Sequence, residues 1–208
     1  MDDKKIFYAK LTEEFVPLLR QDGFKGSGQN YRRIQGDVIH AINIQNNKYG
    51  GSCCVNLGLH FAFLPVCWDS NKLPDLNNIK ALDCEFGCRL APGGKTDYWW
   101  KFKGSLFFGS TSKSVSHLCR TYVESGRGFF ERYNSIETIA SALTLEVLEN
   151  AKYTDVAGGI IPVRGVLTMA RYYKHIGNKE RQHRFAELGL RILGNAKALK
   201  NEFESLAE

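Results

Sequence analysis

The chain has 208 residues, of which 43% are hydrophobic and 24% charged, the ordinary range of globular proteins. That balance excludes collagen-like, low-complexity and wholly disordered chains, and no apolar run approaches the about 18 residues of a membrane-spanning helix. The net charge of +6 is uneven: residues 151–208 carry ten basic and six acidic groups, and a positive field favours acidic partners, nucleic acid among them.

In chain order, residues 6–20 read as an amphipathic helix. Phe7, Leu11, Phe15 and Leu18 fall on one side, with Pro17 near the end and Gly23 as the stop before Phe24. Gly26 to Gln29 reads as a turn. Asn30 to Gln35 is a short strand, and Gly36-Asp37 turns the chain. Val38 to Gln45 then alternates, with Val38, His40, Ile42 and Ile44 on one face and Ile39, Ala41, Asn43 and Gln45 on the other. Cys53 to Phe63 alternates most clearly: Cys53, Val55, Leu57, Leu59, Phe61 and Phe63 oppose Cys54, Asn56, Gly58, His60 and Ala62. Residues 64–80 are loop-like. Cys84 to Leu90 is another strand, with Cys84, Phe86, Cys88 and Leu90 inside and Glu85, Gly87 and Arg89 outside. Asp97 to Phe102 is a further extended segment.

The period changes after residue 110. Residues 113–124 and 134–151 read as helices, separated at Gly126-Arg127-Gly128, with Asn134 or Ser135 as the second N-cap. Residues 160–206 read as a helical hairpin turning at Gly177-Asn178, with Pro162 in its first turn. Phe185, Leu188, Ile192, Ala196, Leu199, Phe203 and Leu206 form its second seam, which suits packing against the preceding helix. The fold class is therefore α+β: an N-terminal helix, an antiparallel sheet of four or five strands, and C-terminal helices ending in an αα-hairpin. It divides into a body at 1–155 and a hairpin at 156–208, as an appendage or small subdomain.

No apolar h-region follows the N-terminus, so no secretory signal is read. A cytoplasmic location is expected, and with it six free thiols. Cys84 and Cys88 stand about 13 Å apart on a strand, too far to share a metal. Buried structural thiols are the expectation, with no metal and no cofactor. No nucleophile elbow, phosphate loop or dinucleotide fingerprint is present.

The non-core face of the sheet is the candidate site. It collects Asn43, Gln45, Asn56, His60, Glu85 and Arg89, with Trp99 and Trp100 on the next segment as its wall. Asn and Gln are disfavoured in strands unless they have something to bond. The bland alternatives are a solvated face or one covered by helices. Three functions compete. A non-enzymatic binding protein would use this face, or the hairpin, for a protein partner. A hydrolase or transferase would need Glu85, His60 and Arg89 to converge. Nucleic-acid binding would use Arg164, Arg171, Lys174, Lys179, Arg181, Arg184 and Arg191 of the hairpin, and is the less favoured partner class. No membrane association is expected, and oligomeric state does not follow from the sequence.

Gly23-Phe24-Lys25, Asn30-Tyr31-Arg32-Arg33, Ile42-Asn43-Ile44-Gln45, Val55-Asn56-Leu57-Gly58 and Cys84-Glu85-Phe86-Gly87-Cys88-Arg89-Leu90 occur in one order. This ordered set resembles a bacterial domain-of-unknown-function family, DUF4304, over about residues 5–150. The resemblance implies an α+β domain in a bacterial cytoplasm and carries over no catalytic residue. It makes Gln45, Asn56 and Arg89 the positions where a family-wide role would lie. It also implies an immunity-type binding role.

Overall fold

The computed structural model describes residues 2–103, 111–150 and 154–208. The first helix, α1 (Asp3–Gln21), starts at the Asp2 cap, whose carboxylate accepts from the Lys4 N–H at 3.0 Å. Its buried residues are Phe7, Leu11, Phe15 and Leu19, so the last core position is Leu19 rather than the expected Leu18. Pro17 lies inside the helix without ending it. The end is a left-handed cap: Gly23 has φ +82°, and the Phe24 N–H donates back to Leu19 O at 2.9 Å.

Among the described residues six strands follow: β1 (Lys25–Ser27), β2 (Asn30–Gln35), β3 (Val38–Asn46), β4 (Ser52–Phe61), β5 (Phe86–Arg89) and β6 (Trp100–Lys101). They form one antiparallel sheet in the order β1-β2-β3-β4-β5, with β6 pairing the start of β4. The expected turn at Gly26–Gln29 is partly strand, since β1 pairs with β2. The expected extended segment at 97–102 pairs only at Trp100 and Lys101.

One face of this sheet is buried by helices along its length. Phe7, Leu11, Phe15 and Leu19 of α1 pack on Ile42, Ile44, Val55 and Leu57. Around Val38, Leu59, Phe61 and Phe86 the covering residues come from the C-terminal helices. The opposite face is half covered by the loop between β4 and β5. There Ala41, Gly58 and Gly87 lie opposite one another on β3, β4 and β5, a shallow stripe into which the 3-10 turn Ala81–Asp83 settles. A Cβ on Gly58 would stand 2.8 Å from Ala81 Cα and 2.9 Å from Cys84 Sγ. Gly58→Val is therefore expected to cost about 1–3 kcal/mol by overpacking. Urea denaturation measures it, and an unchanged midpoint would show that the loop does not rest on this stripe. Cys84 belongs to this side, packed with Ile39, Ala41, Ile79 and Ala81. The alternation expected from Cys84 fails because the strand begins only at Phe86.

Chain 111–132 stays helical throughout: α2 (Thr111–Thr121), a π turn at Tyr122–Gly126, and α3 (Arg127–Arg132). The glycines that predict a break do not make one. Gly126 is helical, and a Cβ there would meet the Tyr122 ring at 2.6 Å, so its role is close approach. The expected single helix at 134–151 is two: α4 (Ile136–Ala142), capped by Ser135, and α5 (Leu145–Asn150). Thr144 Oγ1 accepts from the Val147 N–H at 3.2 Å and starts the second helix, as a hydroxyl that competes with the backbone ladder can. Residue 151 lies outside the described residues.

The C-terminal segment holds three helices: α6 (Pro162–His175), α7 (Lys179–Ile192) and α8 (Lys200–Leu206). Asn178 caps α7 through the Arg181 N–H at 3.0 Å. The expected continuous seam from Phe185 to Leu206 is broken at Gly194, φ +52°. The chain folds back there, bringing Phe203 of α8 against Gly189 of α7. Phe185, Leu188, Phe203 and Leu206 are buried, while Ile192, Ala196 and Leu199 are only partly so. Among the described residues no helix is long and apolar enough to cross a membrane.

Candidate functional site

The open half of the second sheet face is built by strand register. Asn30 lies opposite Asn43, Asn43 opposite Asn56, and Asn56 opposite Arg89. Four neighbouring strands thus place four polar side chains in one row. Gln45 lies one pleat along from Asn43 on the same face.

The row is hydrogen-bonded and has a direction. Asn56 Nδ2 donates to Asn43 Oδ1 at 3.1 Å and to Gln45 Oε1 at 3.0 Å. Asn43 Nδ2 donates to Asn30 Oδ1 at 2.8 Å and lies 3.5 Å from the Gln29 carbonyl. A carbonyl can only accept, so this contact orients the Asn43 amide and, through it, the Asn56 amide. Asn56 spends both N–H groups inside the row and keeps its oxygen as an acceptor. Gln45 spends its oxygen and keeps its N–H groups as donors.

Arg89 ends the row in a cluster with Asp97 and Trp99. Its Nη1 donates to Asp97 Oδ1 at 2.7 Å, and its guanidinium lies 4.9 Å from the Trp99 ring centroid. The Trp99 Nε1–H donates to the other Asp97 oxygen at 3.2 Å. The Arg89 hydrogen bond holds the Asp97 carboxyl below its ordinary pKa. Beside this cluster lies an open cleft of about 440 Å³, bounded by Asn56, Leu82, Glu85, Gly87, Arg89 and Gly159.

Asn43, Gln45, Asn56, Arg89 and Trp99 therefore share one accessible surface. His60, Glu85 and Trp100 are placed differently. Trp100 is buried on the helix-covered face, 3.3 Å from His117 Nδ1 through its indole N–H, because it lies opposite Cys53. It does not wall the polar face. His60 is on the polar side but fully buried. Its Nδ1 accepts the Glu85 N–H at 3.1 Å and its Nε2 lies 3.0 Å from Leu64 O. Burial pushes its pKa down to about 4, leaving a neutral ring with both nitrogens occupied. The Glu85 carboxylate is 2% exposed and paired with Arg164 of α6, whose Nε lies 3.0 Å from Oε1. His60 thus meets Glu85 through the Glu85 backbone N–H, while the Glu85 and Arg89 side chains pair with Arg164 and Asp97 respectively.

Sequence reasoning did not include Asn30, Asp97 or, as a partner of Glu85, Arg164. Asn30 was legible, since a two-residue turn at Gly36-Asp37 puts it opposite Asn43. Asp97 lies on a loop and Arg164 in the first turn of α6, both far in sequence from their partners, and neither carries a local signal. The basic residues of the C-terminal helices mostly have acceptors of their own. Arg171 is bidentate on Glu202 at 2.7 and 2.9 Å, and Arg191 lies 2.8 Å from Glu149. Arg181 donates to the Tyr173 hydroxyl at 2.8 Å, and Arg184 lies 3.9 Å from Glu180. Lys174 and Lys179 are exposed. All six cysteines are free, with Cys53, Cys54 and Cys84 buried, and burial raises these thiol pKa values. Among the described residues no group of three or more His, Cys, Asp or Glu side chains could hold a metal ion.

No curated protein and no solved structure matches the chain. One family model does, over residues 15–127, which hold α1 from Phe15, the whole sheet and α2. The chain belongs to that family, described as a domain of unknown function (DUF4304).

Proposed function

We propose that this protein is a non-catalytic interaction protein that binds a protein partner through the open half of its polar sheet face. One observation carries this reading: the directed amide row Asn30–Asn43–Asn56 ending at Arg89. Strands disfavour such residues, and this row is left accessible on a sheet whose other face is covered by helices. The alternative of a hydrolase or transferase is less well supported, because His60 and Glu85 are engaged apart from Arg89. Nucleic-acid binding by the C-terminal helices is less well supported too, because most of their arginines are paired. Six free thiols fit a reducing, cytoplasmic setting. An immunity-type role, in which the face covers a partner's working surface, is the form of this reading that the family resemblance suggests.

Photo-cross-linking tests it. With benzoylphenylalanine at Leu82, an exposed residue at the edge of the cleft, a discrete protein adduct is expected in extracts of the source cell, and none from the same probe at Lys197. Arg89→Ala and Asn56→Ala are each expected to lower its yield about tenfold, as loss of a central interface contact worth about 1.4 kcal/mol does. The same adduct in equal yield from both variants would remove the sheet face as the binding surface.

A further inference from the structure

We infer that the partner is an acidic polypeptide segment, one of whose carboxylates enters the Arg89–Trp99 cluster in the place that Asp97 occupies in the free protein. This rests on the interaction reading above and names the chemistry of its partner.

The cluster is already a carboxylate receptor. Two donors of different kinds, the Arg89 guanidinium and the Trp99 indole N–H, converge on the two oxygens of one carboxylate at 2.7 and 3.2 Å. The Trp99 face fixes the guanidinium plane. The occupant is weakly held: the Asp97 side chain is 49% exposed and that of Arg89 32%, and such ion pairs add little net stability. Asp97 also follows Gly93 and Gly94, both at positive φ (+55° and +73°), on the loop that leads to the short pairing of Trp100 and Lys101 with β4. A second carboxylate can therefore replace it without disturbing the core.

Charge points the same way. On this face the described strands carry Lys25, Arg32, Arg89 and Lys101 and no acidic residue. Register places Lys25 and Arg32 opposite each other on β1 and β2, on the same face as Arg89. A field of one sign attracts and orients a partner of the other. The amides next to Arg89 specify a peptide rather than a lone carboxylate. The Asn56 oxygen can accept a backbone N–H and the Gln45 N–H groups can donate to a backbone C=O. The cleft of about 440 Å³ beside them has the volume of a small ligand pocket and receives a side chain or a short stretch of chain. A planar, two-donor receptor already filled by a carboxylate favours this chemistry over phosphate.

Fluorescence anisotropy decides it, with a labelled peptide of alternating Gly and Glu, its Gly and Gln counterpart, and a single-stranded oligonucleotide of equal charge. The acidic peptide is expected to bind saturably and the Gln peptide not. Arg89→Ala should weaken binding about tenfold, the size of a central interface contact. Asp97→Asn should tighten it severalfold by removing the internal competitor. Arg184→Ala with Arg191→Ala should leave it unchanged. Thermal melts check that each variant folds. Equal binding by wild type, Arg89→Ala and Asp97→Asn would overturn the proposal. So would an oligonucleotide that outcompetes the peptide at Arg89, which would mark a phosphate site. A loss confined to the Arg184/Arg191 variant would also overturn it, by moving the effect to the C-terminal helices. If the Leu82 adduct depends on Arg89 but is indifferent to Asp97→Asn, the interaction reading stands and this inference fails.

Discussion

Lowering the pH from 7 to 4 is expected to remove up to about 6 kcal/mol of stability through two buried imidazoles. His40 and His60 are both fully buried, and burial pushes each pKa down to about 4. Their hydrogen bonds require the neutral ring. His60 Nδ1 accepts a backbone N–H, which can only donate, so the proton sits on Nε2, facing Leu64 O at 3.0 Å. In His40, Arg33 faces Nδ1 at 3.0–3.3 Å and Tyr133 O faces Nε2 at 3.0 Å, which fixes the same tautomer. The unfolded chain binds these protons near pH 6.5, whereas the native state excludes them until about pH 4. Stability therefore falls as pH falls between those two values. Each ring contributes about 3 kcal/mol across the interval, and their contribution changes no further below it. Against a typical total of about 5–15 kcal/mol this is enough to bring the domain close to unfolding. Urea denaturation from pH 7.5 to 4.5 should show the loss, and His60→Gln should remove about half of its pH dependence. A flat stability curve over that range would mean that the rings take up protons in the native state.

The same two histidines show where sequence reading stops. Period-2 alternation assigns His40 and His60 to opposite faces correctly, because it depends only on the backbone. It cannot show that the loop from Ile79 to Cys84 closes over the His60 side of the sheet, because nothing local in residues 64–84 announces Gly58 as its seat. The amide row was legible for a related reason. Asn43 and Asn56 face each other across a short connection, and Asn30 and Asn43 across a two-residue turn, so counting from each turn gives the register. Arg89 joins the row from a strand 24 residues after Phe61, Ala62 to Glu85 intervening, where counting gives nothing. The helices failed where one residue type has two uses. Gly126 reads as a breaker but serves as a gap for the Tyr122 ring, and Thr144 reads as a mid-helix residue but acts as a cap. Trp100 was misplaced because a short pairing of Trp100 and Lys101 decides its face, and an aromatic pair in sequence gives no sign of which ring turns inward.

Arg164→Ala is expected to cost about 3–5 kcal/mol, more than Glu85→Ala, although the two substitutions break the same contact. The difference follows from burial. The Glu85 side chain is 2% exposed and that of Arg164 22%. Removing the arginine strands an almost fully buried carboxylate, whereas removing the glutamate leaves a guanidinium whose long stem can carry it to solvent. The pair is bidentate, Arg164 Nε with Oε1 at 3.0 Å and Nη2 with Oε2, so Arg164→Lys should also lose stability despite keeping the charge. Replacing both partners, Glu85→Leu with Arg164→Met, should restore most of the loss, since paired apolar groups of similar size need no solvation. A double-mutant cycle in urea reads all of this, and a cost for Arg164→Ala equal to or below that of Glu85→Ala would refute the assignment. The pair also matters for the site. Glu85 bounds the cleft beside Arg89 and lies within the family-matched region, while Arg164 lies beyond it, at the start of α6. The C-terminal helices are thus fastened to the family domain at the edge of the surface assigned to binding. Loosening this contact should weaken capture of an acidic partner in step with local stability, even though Arg164 is not part of the amide row.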